Sequence, residues 1–171
     1  MSDTLLETLR DCLQIMETIE TEYPKGEFDR ELIHGEMDFR YRRIHELRRQ
    51  LDAIPAPVRR FATLVRSFGG DLSVPLRLFT LIHESPRFFT IPTGAGFTGL
   101  QGRVAEAAAK LAAPPPEIMK IVGRLRMNGI LDQRYALSAH QRSAVAALLQ
   151  LYRSGPGAAT PAGDPQGHSP T

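Results

Sequence analysis

Lys120 and Arg124 stand one helical turn apart in the segment PPEIMKIVGRLRMNG, which places two cations on one side of a helix. Such a pair suits an extended anionic partner. Arginine offers a planar fork of donors that matches a guanine edge, and lysine a point charge for base or phosphate. Other chemistry is thinly represented. His34, His45, His83, His140 and His168 are scattered without HxxxH or HExxH spacing, and the one cysteine, Cys12, leaves no CxxC pair. No serine stands in a nucleophile elbow, and neighbouring carboxylates such as Asp29 and Glu31 read as helix-start charges. Catalysis, a cofactor and a metal have no positive support, so the expectation is a binding protein and not an enzyme.

One motif imitates a cofactor site. Gly94, Gly96 and Gly99 spell G-x-G-x-x-G after a strand candidate and before a helix, with Glu117 about twenty residues on. The dinucleotide mechanism needs a parallel sheet whose second strand presents the acidic residue to a ribose. Glu117 instead follows three prolines at the start of a helix, and no βαβ succession surrounds it. A flexible loop between strand and helix is the simpler reading.

The elements that must position Lys120 and Arg124 are legible in RVAEAAAKLAAPPPEIMKIVGRLRMNGIL, residues 103–131. Val104, Ala107, Ala108 and Leu111 repeat at three and four residues, as one face of a helix does. Ile118, Val122 and Leu125 do the same in a second helix, whose first turn accepts Pro115 or Pro116 because the missing N–H is not needed there. Gly129 suits a left-handed C-cap. Two short amphipathic helices across a tight turn form the core of a helix-turn-helix. Upstream, Val58–Phe68 and Val74–Glu84 read as helices, the first with Phe61, Leu64, Val65 and Phe68 on its apolar side, the second with Leu78, Leu81 and Ile82 along one face. Gly69 and Gly70 separate them, and Asp71 or Ser73 is placed to cap the second. Residues 87–91 (RFFTI) read as a short strand, and Ile130–Ser138 as two strands around a turn at Asp132 and Gln133. Ala139–Tyr152 is a last helix, with Val145, Leu148, Leu149 and Tyr152 on one face.

This order of helix, strand, helix, helix, strand, strand resembles the winged helix-turn-helix superfamily, in particular bacterial regulators of the ArsR and MarR type. The resemblance rests on the VAEAAAKL helix, the PPEIMKIVGRLRMNGIL helix and the ILDQRYALS hairpin. It implies that residues 115–128 form a recognition helix for double-stranded DNA. Pro116, Glu117, Lys120, Ile121 and Arg124 then match the groove-facing positions, Gln133 and Arg134 sit on the wing, and Arg103 reaches a phosphate. The implied function is that of a dimeric transcriptional regulator. The triple proline, Glu117, Met119 and Ile121 stand where the family carries polar donors, which keeps a second reading open: an adaptor or scaffold that binds other proteins, with non-specific or no DNA contact.

Charge is unevenly spread. Residues 1–38 carry eleven acidic side chains against three basic ones, and the balance reverses from Phe39 onward to eighteen basic against eight acidic. The densest basic run adds Arg40, Arg42, Arg43, Arg48 and Arg49. Arg42 and Arg43 are candidates for phosphate contact. The competing reading is that this run faces the acidic first helix. Leu5, Leu9, Cys12, Met16, Ile19 and Tyr23 alternate four- and three-residue steps, a coiled-coil seam, and a second seam runs from Ile33 to Ile54 beyond a break at Pro24 and Gly26. An antiparallel helical hairpin is expected there, as a homodimerisation element or a contact for a partner protein.

The expected architecture is therefore mainly α. Residues 1–56 form a coiled-coil-like helical hairpin, and 57–153 a winged helix-turn-helix domain with a small β-hairpin wing. Residues 154–171 form a disordered tail, lacking the large apolar side chains that would offset the entropy of ordering. The acidic N-terminus is unlike a signal peptide, no apolar run approaches the ~20 residues of a membrane span, and a cytoplasmic protein with no membrane contact is the plain expectation.

Overall fold

The computed structural model describes residues 2–23 and 37–153. The expected break at Pro24 and Gly26, the start of the second seam at Ile33 and the tail fall outside them. Among the described residues there are seven α-helices: α1 (Ser2–Glu22), α2 (Met37–Ala53), α3 (Ala56–Ser67), α4 (Ser73–Glu84), α5 (Gly96–Leu111), α6 (Pro115–Met127) and α7 (Arg142–Arg153). A single 3-10 turn, Ala139–Gln141, leads into α7.

The apolar faces close on one core. Phe61, Leu64 and Val65 of α3, Leu78, Phe79 and Ile82 of α4, and Val145, Leu148 and Leu149 of α7 are buried together with Val104, Ala107, Ala108 and Leu111 of α5. Phe79 is the pivot. Its ring meets Phe61 edge-on at 5.9 Å between centroids and Phe68 at 6.4 Å, the offset geometry aromatic quadrupoles favour. α1 belongs to this core as well. It packs most extensively on α7 and next on α3, and its Leu9 and Cys12 are fully enclosed by the same cluster. The seam that suggested pairing with a second chain is thus covered within one chain. Burial pushes the Cys12 thiol above its ordinary range, as expected of a thiol acting as a small hydrophobe.

α2 touches the rest chiefly through α1, and there the charge asymmetry is resolved. Arg43 donates from Nε and Nη2 to the two Glu22 oxygens at 2.7 and 2.9 Å, and Arg66 of α3 pairs with Glu20. The Arg43 guanidinium holds the Glu22 carboxyl below the usual carboxylate range, and Glu22 raises Arg43 in turn. Acidic α1 is therefore met by basic residues of α2 and α3.

The strands do not form, which corrects the expected β-hairpin wing. Residues 86–89 run as consecutive turns, with the Phe88 amide donating to Ser85 O and that of Thr90 to Arg87 O. The aromatic content of this segment marks burial and not extension: Phe89 is fully enclosed and stacks edge-on with Phe88. Between Ile130 and Ser138 the pairing amounts to one antiparallel bridge, Leu131 with Leu137. A three-residue turn, Gln133 to Tyr135, closes it, with Asp132 N donating to Ala136 O and Tyr135 N to Asp132 O. Ile130, Leu131 and Leu137 are drawn into the core, so the segment is consumed in packing before it lengthens into strands.

The glycine motif also finds its explanation here. No strand precedes it. Gly94 and Gly96 take positive φ of 91° and 53° to turn the chain into α5, and Gly99 is a packing residue. A Cβ on Gly99 would lie 2.8 Å from Ala95 Cβ and 3.1 Å from Ile91 Cγ2, so only glycine lets that turn seat against the helix.

Candidate nucleic-acid interface

α5 and α6 form the helix pair that the spacing calls for. α5 ends at Ala112, which takes the left-handed conformation at φ 48°, and its chain reverses through Ala113 and Pro114. Pro115 and Pro116 then occupy the first positions of α6. At the far end Gly129 (φ 73°) donates to Arg126 O and Ile130 to Leu125 O, a Schellman closure that fixes where the following turn leaves the helix.

α6 is held by Ile118, Ile121, Val122 and Leu125, all buried. This corrects the expectation for Ile121, which is only 5 % exposed and faces the core, not a groove. Opposite that face a stripe of residues at steps of four, three and four points outward: Pro116, Lys120, Gly123 and Met127. Pro116 and Lys120 are exposed, and Met127 is 89 % exposed, the largest value for any large apolar side chain among the described residues.

The remaining expected contacts divide into engaged and free. Arg124 is half-buried: its Nη1 donates to Ser67 O at 3.1 Å and its guanidinium lies 5.8 Å from the Phe68 ring centroid, so it is drawn towards the C-terminal end of α3. Arg103 is paired with Glu106 on its own helix at 3.2 Å, and Arg43 with Glu22. Arg43 also walls a recess of about 710 Å³ between α1 and α2. Lys120, Glu117, Gln133 and Arg134 are exposed on α6 and the turn after it, and Arg42 is exposed on α2, a helix packed chiefly on α1.

Sequence reasoning passed over Arg126, Gly123, Met127 and Tyr135. Arg126 is exposed and lies 5.0 Å from the Tyr135 ring centroid. Tyr135 carries φ 62°, a left-handed conformation that costs a non-glycine residue on the order of 1 kcal/mol. Asp132 holds it there by accepting the amides of Arg134 and Ala136 at 2.7 and 3.1 Å. The outcome is that Arg126 and the Arg134-bearing turn lie about the C-terminal end of α6, with Lys120 near the helix centre, one turn from Glu117. The available signal was the continuation of the Lys120 step to Gly123 and Met127.

No protein family, no curated protein and no solved structure matches this chain. Among the described residues no helix is long and apolar enough to cross a membrane.

Proposed function

We propose that this is a double-stranded DNA-binding protein that lays the outward face of α6 against the duplex. The observation that carries the reading is the helix pair α5–α6 with one face of α6 buried and the other turned outward, bearing Lys120 at its centre and Arg126 and Arg134 about its C-terminal half. A duplex presents a dense line of phosphates, and each cation that neutralises one releases condensed counterions. Regulation of transcription is the simplest use of such contact. The groove-facing set is revised from the expectation: Lys120, Arg126 and Arg134 carry the contact, Arg124 is held back at Ser67, and Ile121 takes no part.

The test is fluorescence anisotropy with a labelled duplex of about 30 base pairs, wild type against Lys120→Ala. Loss of one phosphate contact is expected to weaken binding on the order of tenfold near 0.1 M salt and to reduce the slope of log K against log salt by about one. Lys120 is exposed on the face of α6 opposite the core, so stability stays within about 0.5 kcal/mol. A Lys120→Ala protein with unchanged affinity and slope would sink the assignment.

A further inference from the structure

Gly123 is the residue of α6 that the fold itself does not require. It lies in the interior of a 13-residue helix, where glycine is a poor choice, and a Cβ built on it would meet nothing within 4 Å. No neighbour among the described residues needs the missing methyl. The outward stripe around it is also poor in hydrogen-bonding groups: of Pro116, Lys120, Gly123 and Met127, only Lys120 has a side chain able to address a base edge. Reading a base pair takes a fork such as arginine on guanine or an amide on adenine, and none stands on this stripe. Two unfavourable local choices flank it, the exposed Met127 and the left-handed Tyr135 that carries Arg126.

We infer that Gly123 is the point of closest approach between α6 and the duplex, and that recognition is therefore sequence-tolerant. The bare backbone at Gly123 lets the helix come near, Lys120, Arg126 and Arg134 take phosphates, and the Met127 side chain lies against apolar sugar and base-step surface as apolar wedges do in shape-reading proteins. The ligand class is duplex DNA in general and not one operator. The inference rests on the duplex-binding reading above.

The experiment compares Gly123→Ala and Gly123→Leu with Gly102→Ala, a control on α5 whose added Cβ also meets nothing within 4 Å. Both alanine variants are expected to raise Tm by about 2–4 °C through helix propensity alone. Gly123→Ala is expected to weaken binding of a mixed-sequence duplex about fivefold or more, Gly123→Leu further still, and Gly102→Ala not at all. Unrelated duplexes of equal length should bind within about threefold of one another, since no fork stands on the outward stripe and Arg126 and Arg134 are assigned to phosphates. Wild-type affinity in both Gly123 variants, with duplex binding and its salt dependence intact, overturns the close-approach inference and leaves the proposed function standing. Selection from randomised duplexes that returns one sequence bound more than about a hundredfold better than the pool overturns the sequence tolerance. Absence of any duplex binding by the wild type removes the proposed function and this inference together.

Discussion

Phe79→Ala is expected to cost about 3–5 kcal/mol of folding stability, the range for deleting a buried phenyl ring whose surroundings relax only in part. Phe79 is 1 % exposed and fills the space between Phe61 and Phe68, so its loss removes two edge-on ring contacts as well as its own burial. The effect reaches the candidate interface by a short route, since Phe68 is the ring against which the Arg124 guanidinium rests. Urea unfolding of the variant should show a midpoint far below wild type with a similar m-value. A loss under about 1 kcal/mol would mean that the aromatic trio does not organise the core as described.

The largest functional effect is expected from removing the three exposed cations together. Lys120→Ala, Arg126→Ala and Arg134→Ala combined should weaken duplex binding by about two to three orders of magnitude near 0.1 M salt, three phosphate contacts at close to tenfold each. None of the three is buried, and each is exposed on α6 or the turn after it. The native fold should therefore persist, and circular dichroism with a thermal melt checks this. A comparable loss from Arg42→Ala with Arg43→Ala would instead place the contact on α2 and contradict the α6 interface.

The helices were readable from the sequence because each keeps its apolar period over three turns or more. The α5 and α6 faces, the Gly129 closure and the α3 and α4 cores follow from spacing alone. The strands were misread because Phe88, Phe89 and Ile130 are types that favour both extended backbone and burial, and here burial decides. α5 begins at Gly96, seven residues before the expected start, because burial of Leu100 and Val104 outweighs three poor helix formers at 96, 99 and 102. The groove-facing place of Ile121 came from the winged-helix resemblance, and the packing of this chain overrides it. In a helix set into a core the apolar stripe is wider, and position 121 lies inside it beside Ile118 and Leu125.

The candidate interface was legible in part. Lys120 is where the spacing put it, exposed on the outer face of α6. Arg124 follows it by one turn in the sequence, yet the C-terminal carbonyl of α3 at Ser67 and the Phe68 ring draw its guanidinium back, a tertiary contact across 57 positions that no local pattern encodes. Arg126 gains its place from Tyr135 in the same way, through a turn whose left-handed residue is aromatic and not the usual glycine. Arg43, a phosphate candidate by composition, is spoken for by Glu22.

The most direct measurement is the salt dependence of duplex binding by the wild-type protein, read by anisotropy between about 50 and 200 mM salt. Three phosphate contacts from Lys120, Arg126 and Arg134 predict a slope of log K against log salt of about −3. A flat dependence, or no binding at the lowest salt, would contradict the assignment of the outward face of α6 to nucleic acid.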